Sequence, residues 1–506
     1  MSAVVEVAEL LERSGSLRGS VSVPGEELAV LAAQLLGRGY RLALVCAVDG
    51  DVEVRVVYLF VAGPPDRRIE LVVTTGRDQP RVPSLAAISF PASRFEREIH
   101  DLFGVEPVGH PAPRRLVLHQ HWPEGWYPMR RDAPASMPMA RDAGSYPFVE
   151  VQGPGVYEIP VGPVHAGVIE PGHFRFSVVG ETILKMKARL WFVHKGVERL
   201  FEGRDFASAV ELAEKISGDS AVGHSLAFCR AVEEALGVVV SPRAEELRVV
   251  LLELERLYNH VADIGALCND VGFGLAQARA LTLRERLLRL NRTVTGHRLL
   301  RGGIMVGGTR VVGMPRQREL DEIGEQFADL IALALGQGTV MDRFVGTGVL
   351  HLEDMEAMGV LGVVARASGS TYDARSAHPS NVPLPEFAPV HSTEGDVHAR
   401  FHVRADEVAV SLSLLRDYCA RSGSLDARGA SNSVPPTGSG SGIVEGWRGA
   451  IVHRVEIDDG VLTRVKVVDP SFFNWPALAV SLADTIVPDF PLVNKSFNLS
   501  YAGNDL

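Results

Sequence analysis

The sequence predicts an α+β chain of more than one domain: a small N-terminal α/β domain, then a helix-bundle domain with appended β-hairpins. Three observations carry that reading. The chain has 506 residues, too many for a single hydrophobic core. Valine-rich, strand-like runs fill the first hundred residues, whereas helical periodicity dominates from about residue 180 onward. Between them Pro111 to Pro163 is dense in proline and has little regular period, as a linker or surface arm has. The expected division is therefore 1–118, a linker or arm over 119–159, and 160–506.

Each element has its own signal. Glu26 to Leu36 reads as a helix. Arg41 to Val48 and Val52 to Val61 flank Asp49-Gly50-Asp51, a turn signal, so the pair reads as a hairpin. Ile69 to Thr75 is a third strand and Ala92 to Phe103 a short helix. Trp122, Trp126 and Tyr127 in the proline-rich stretch predict an arm packed against something. Ser241-Pro242 places a capping serine before a first-turn proline, and Leu247, Val250, Leu251, Leu254, Tyr258 and Val261 follow at helical spacing. Leu281 to Leu290 and Gln317 to Leu335 are further helices, and such a succession predicts a bundle. Arg428 to Gly442, with Ser, Gly and Pro435-Pro436, reads as a flexible loop. Ile451 to Val468 alternates around Asp458-Asp459-Gly460 and reads as a hairpin.

Composition excludes several function classes. Hydrophobic residues are 46% and charged residues 22%, as in folded proteins, and the formal net charge of −11 gives no support to nucleic-acid binding. Glu6, Glu9 and Glu12 leave no basic leader at the N-terminus, so no secretory signal is expected. No uncharged apolar run reaches eighteen residues, so no direct membrane span is expected. Cys46, Cys229, Cys268 and Cys419 form no C-x-x-C pair, which fits a reducing cytoplasm and not an iron–sulfur or zinc site built by this chain. No Gly-rich fingerprint follows a strand, so NAD binding by this chain is not expected.

Several blocks carry chemistry. Glu96-Arg97-Glu98 precedes Asp101-Leu102-Phe103, His110, Arg114, Leu116 and Val117; the charges alone read as a solvated helix face with i,i+3 and i,i+4 pairs. Pro160 to Phe174 contains His165 and Glu170 in a Pro/Gly setting. A histidine titrates near neutrality and can hydrogen-bond a ligand's oxygen, and a partly buried carboxyl can be raised into the working range. Taken alone, both are ordinary turn residues. His194-Lys195-Gly196-Val197-Glu198-Arg199 reads as a charged helix start. Arg366-Ala367-Ser368-Gly369, with Asp373 and Arg375, and Glu445-Gly446-Trp447-Arg448-Gly449 each hold an arginine that serves either a charge-stabilising pocket or a structural salt bridge.

Over roughly residues 20–506 these blocks resemble the fused 30-kDa and 49-kDa subunits of respiratory complex I and the large subunits of group 4 nickel–iron hydrogenases, formate hydrogenlyase included. The resemblance implies a hydrogenase large-subunit or 49-kDa fold. It also implies a subunit-docking role for Glu96, Arg97, Glu98 and Asp101. It places His165 at a quinone-binding position, Glu170 at a proton-transfer position and Arg448 over the metal site. Two slots depart from the hydrogenase pattern. Ser217-Gly218-Asp219-Ser220, and Ser471-Phe472-Phe473-Asn474 after Asp469-Pro470, stand where each hydrogenase would have C-x-x-C. Ser217, Ser220, Ser471 and Asn474 are hard donors, unlike the thiolates that nickel–iron chemistry needs, so a nickel–iron centre is not expected. Gly218 stands where the complex I relatives hold a quinone-binding tyrosine. Asn504 stands where hydrogenases end on a histidine, and the C-terminus shows no extension of the kind removed after nickel insertion.

The resemblance therefore implies a subunit of a membrane-anchored redox complex. No cofactor is expected to be bound by the chain itself beyond a possible quinone, with an iron–sulfur cluster in a small partner subunit. Antiporter-like and anchor subunits would hold it peripherally on the cytoplasmic face of the membrane. The alternatives are a working nickel–iron hydrogenase component and an inert structural subunit that couples its neighbours.

Overall fold

The computed structural model describes residues 3–506 apart from 138, 140–143, 145, 167–168, 383, 385–386, 422 and 429–436. The N-terminal unit is built on a four-stranded sheet. Arg41–Asp49, Glu53–Ala62 and Arg67–Gly76 run antiparallel in sequence order, and Leu17–Ser22 adds to the last of them in parallel. That parallel edge strand was not legible in Leu-Arg-Gly-Ser-Val-Ser, because its stability comes from a partner some 50 residues away and not from local pattern. Val56 to Phe60 is buried throughout, as in a strand covered on both faces. The Phe90–Phe103 helix covers the sheet, capped by Ser89 and ended by Gly104 at φ 75°.

The proline-rich arm carries no helix or strand among its described residues until Val156–Val161. Leu116, Val117, Leu118 and Met129 are buried, and Trp122 stacks on Trp126 with ring centroids 4.9 Å apart. Two expectations need correction here. The end of the arm is itself a strand, and Val156–Val161, His173–Val179 and Thr182–Arg189 form an antiparallel sheet before the helices start at Val197. Proline at 160 is tolerated because Val156–Val161 is an edge strand.

The helical body centres on Pro242–Asp270, capped by Ser241 accepting from the Ala244 amide. It packs against Ala221–Leu236, Gly274–Thr295 and Val397–Ala420, with Gln317–Leu335 outside. The predicted C-terminal hairpin is the outer part of a three-stranded sheet, Gly438–Gly446, Gly449–Asp458 and Val461–Val468. The expected flexible loop is therefore corrected over Gly438 to Gly442; residues 429–436 lie outside the described residues. The glycines there are not a flexibility signal. A Cβ on Gly440 or Gly442 would overlap backbone atoms of Ala227, Ala231 and Ala235, so they let the strand lie directly on the Ala221–Leu236 helix.

The two halves meet through buried charge. Lys466 donates to Glu98 at 2.6 Å and to Glu198 at 3.0 Å, and Arg464 pairs with Glu198 at 2.8 Å. Arg454 pairs with Glu70 at 2.7 Å. No helix among the described residues is long and apolar enough to cross a membrane.

Candidate functional site

The residues expected to form a site converge from four segments onto one cavity of about 680 Å³. The loop around His165 and Glu170 supplies one wall. Ser217, Gly218 and Asp219, just before the Ala221–Leu236 helix, supply the floor, and Arg448 enters from the turn between two strands of the C-terminal sheet. Asn494 to Ala502 closes the remaining side.

Asp219 organises the centre, and sequence reasoning passed over it as an interior slot residue. Arg448 grips it bidentately, with Nη1–Oδ1 and Nη2–Oδ2 both 2.7 Å. Burial works to raise the Asp219 carboxyl, but the Arg448 guanidinium outweighs it and holds the carboxyl below its ordinary range. Arg448 is itself fixed. Its Nε donates to the Asn498 carbonyl at 2.5 Å, and its guanidinium lies 3.9 Å from the Trp447 ring centroid. The Asp219 carbonyl accepts from Trp447 Nε1 at 2.9 Å and from Asn259 Nδ2 at 2.8 Å.

Three of the four slot positions join one hydrogen-bond network through Asp219 and Ser500, and the fourth, Asn474, is bonded elsewhere. Ser217 Oγ lies 2.9 Å from Asp219 Oδ1 and 2.8 Å from Ser500 Oγ, and Ser471 Oγ accepts the Ser500 amide at 2.9 Å. Ser220 is buried and receives the Trp447 indole N–H at 3.1 Å. Asn474 is committed elsewhere: its Oδ1 accepts from the Leu361 amide at 2.9 Å and its Nδ2 donates to the Leu361 carbonyl at 3.0 Å. Neutral serine hydroxyls and an amide satisfied at both ends are hard donors and do not suit a soft metal. The residues present do not fit a nickel–iron centre.

His165 Nε2 lies 2.8 Å from the Gly172 carbonyl oxygen, so it serves as the donor there. Glu170 stands exposed at the cavity edge, where its Oε2 accepts from the Ala502 amide at 3.0 Å. Tyr501 was also missed. It lines the cavity against Trp475, and burial pushes its hydroxyl up to about 12, so it stays a neutral donor at neutral pH. Behind the wall, burial raises Asp505 to about 6. Asn504, buried, accepts from Arg94 at 3.3 Å, and burial pulls Arg94 down to about 9. Beneath the floor Asp469 caps the Pro470–Ser481 helix and lies 3.1 Å from His224, which in turn lies 3.1 Å from His453.

The block expected to dock partners faces inward. Glu96 accepts from Ser84 and the Leu85 amide, Glu98 from Lys466, and Asp101 from the amides of Leu116, Val117 and Leu118. All three are buried, and Arg97 donates to the Arg114 and Arg115 carbonyls. The solvated helix face does not describe Glu96, Glu98 and Asp101. Their geometry joins the N-terminal unit to the arm and the C-terminal sheet.

Comparison with known proteins places this architecture. Residues 21–138 match the family model of the respiratory-chain NADH dehydrogenase 30 Kd subunit, and residues 270–429 that of the 49 Kd subunit. Formate hydrogenlyase subunit 5 of Escherichia coli (strain K12) is 32% identical over 86% of this chain and 79% of its own length. Hydrogenase-4 component G of the same organism is 33% identical over 84% and 75%. An NADH-quinone oxidoreductase component of Phocaeicola vulgatus is 30% identical over 68% and 70%. A chain of the membrane-bound sulfane sulfur reductase, an archaeal respiratory membrane complex, is 26% identical with a TM-score of 0.64, covering 70% of this chain and 99% of its own. The chain belongs to the family that joins the 30-kDa and 49-kDa complex I subunits and includes formate hydrogenlyase subunit 5 and hydrogenase-4 component G.

Proposed function

We propose that this chain is the cavity-bearing peripheral subunit of a membrane-anchored redox complex, and that its cavity reduces or oxidises a quinone-like carrier without a resident metal. The observation that carries the reading is the cavity itself. Its volume of about 680 Å³ suits a small organic ligand, and Ile169, Phe174, Phe490 and Leu499 present apolar surface beside His165, Glu170, Asp219, Arg448 and Tyr501. Reduction of a quinone takes two electrons and two protons. A partner iron–sulfur subunit would supply the electrons. Glu170 would pass protons from solvent, His165 and Tyr501 would hydrogen-bond the carrier's oxygens, and Arg448 with Asp219 would set the local charge. Membrane partners of the antiporter and anchor types would hold the chain on the cytoplasmic face.

The test is Glu170→Gln in the assembled complex. Carrier turnover is expected to fall by roughly tenfold to a hundredfold with assembly unchanged. A second reading is favoured by the Asp219–Arg448 pair, which neutralises the charge a metal site would use: the chain then couples its neighbours without chemistry of its own. Unchanged turnover and proton coupling in Glu170→Gln select that reading.

A further inference from the structure

Behind the cavity the helical body contains a dense cluster of buried charge that the proposed chemistry does not use. The Pro242–Asp270 helix contributes Glu253, Arg256 and His260, and the Val397–Ala420 helix contributes Glu407 and Ser411. Arg366 comes from the short helix Gly362–Ala367, Arg375 from the short helix Ala374–Ala377 that Asp373 caps, and Glu445 from the C-terminal sheet. Arg375 is 9% exposed and every other member 1% or less. The contacts are continuous. Arg366 reaches Glu407 at 2.6 Å, Glu445 at 2.8 Å and Asp373 at 3.5 Å. Arg375 reaches Asp373 at 2.8 Å and Glu253 at 3.1 Å. Glu253 also meets Arg256 at 3.1 Å and Ser411 at 2.6 Å, and Glu407 lies 2.7 Å from His260 Nε2.

The charges do not balance. The carboxylates of Glu253, Asp373, Glu407 and Glu445 face only the guanidiniums of Arg256, Arg366 and Arg375. His260 adds no cation, because burial pulls its ring below its ordinary range. A surplus charge without solvent costs several kcal/mol or more, on the order of the desolvation of one ion, and the usual relief is protonation. The outer cations do not remove the surplus. Arg230 is paired with Glu245 at 3.1 Å, and Arg41 is separated from the cluster by Tyr372, whose hydroxyl it binds at 2.7 Å. Arg404 is matched by Asp263 at 2.8 Å.

Glu445 is the member placed to hold a proton. Its Oε1 takes Arg366 and its Oε2 takes only the Ala374 amide, at 2.9 Å. Glu445 and Ala374 also line a cavity of about 30 Å³, room for one water, together with Glu253, Arg375, Arg230 and His378. His378 Nε2 is buried and has no hydrogen-bond partner among the described residues, while its Nδ1 is bound to Asp66 at 2.6 Å. His378 and Arg230 also line a second, open pocket of about 410 Å³ between the N-terminal sheet and the helical body. The chain thus has polar side chains, one small cavity and one histidine in series from solvent to Glu445.

We propose that the cluster is a proton store: it holds one proton beyond its ion pairs, on Glu445, and exchanges it with solvent through the small cavity, His378 and the open pocket. The direction of the Glu445 titration agrees, since burial raises its carboxyl and Asp373 raises it further against Arg366. No bond other than O–H and N–H is made or broken. The proton leaves Glu445 for a water or His378 and returns the same way. The strand that carries Glu445 turns into Trp447 and Arg448 at the redox cavity, so a charge change there acts on the store across three residues. This function does not rest on the quinone reading, because the charge count and the route lie outside that cavity.

The test is infrared spectroscopy of the purified full chain at neutral pH during exchange into deuterium oxide. Wild-type protein is expected to show a protonated-carboxyl component that is absent in Glu445→Gln and present in Glu255→Gln. In His378→Phe the component persists but exchanges about tenfold more slowly or less. Persistence of every protonated-carboxyl component in Glu445→Gln overturns the proposal. So does an unchanged exchange rate in His378→Phe, which decides the matter even if Glu445→Gln does not yield folded protein.

Discussion

At the scale of single residues, the cavity is set by one carboxylate. Asp219 lies between Ser217 and Ser220 and gives Arg448 an internal anion. A second carboxylate, Glu255, lies just beneath it. Its two oxygens accept from the amides of Val222 and Gly223 at 2.7 and 2.9 Å, at the start of the Ala221–Leu236 helix. Burial pushes Glu255 up to about 8, further than those donors pull it down. The folded chain therefore binds a proton there that the unfolded chain releases near pH 4.5. Stability from this group is complete at low pH and is lost as pH rises from about 5 to about 8. Glu255→Gln is expected to flatten the pH dependence of the melting temperature across that window. An identical slope in wild type and variant would remove the assignment. Of the site residues, His165, Glu170 and Arg448 were legible because each sits in a recognisable block. Asp219 and Tyr501 were not, because nothing local says that an interior slot residue meets an arginine 229 positions away.

At the scale of elements, the Ala221–Leu236 helix and the strand Gly438–Gly446 show how a glycine-rich run misleads. Ser-Gly alternation looks like a loop, yet here it brings a strand backbone against a helix backbone. Gly442→Val is expected to destabilise the chain by about 3 kcal/mol or more, since the added atoms meet main chain that cannot rotate away. Urea unfolding measures this, and a loss under about 1 kcal/mol would mean that the strand has room to move. The long helices were legible for the opposite reason. Ser241-Pro242 and the apolar spacing after it depend only on residues within a few turns, and the Gln317–Leu335 helix has the predicted bounds. The parallel edge strand was missed because its partner lies some 50 residues away. The sheet from Val156 to Arg189 pairs neighbouring strands, with Val179 opposite Thr182 across Gly180-Glu181, so its signal was local and was overlooked.

At the scale of the whole molecule, the N-terminal unit is locked to the body by Lys466 between Glu98 and Glu198. Lys466→Met leaves Glu98 buried without a cation and is expected to cost about 3–5 kcal/mol. Burial raises the Glu98 carboxyl even with Lys466 present, so the variant is expected to suffer more at pH 8 than at pH 5, where protonation relieves it. Equal losses at both pH values would show that Glu98 finds another partner. The outcome also bears on the charged block at 96–101. Within the chain, Glu98 meets the C-terminal sheet through Lys466 and Asp101 holds the arm at Leu116 to Leu118.

The family and the order of helices and strands in outline were legible in the sequence, because each is written in residue identity and short-range spacing. Only the tertiary structure decided where the surplus charge lies and which groups answer it. Asp219 with Arg448, Lys466 with Glu98 and Glu445 with Arg366 are pairings between distant segments. Burial in low dielectric makes such pairings strong, and only the folded chain brings them within reach.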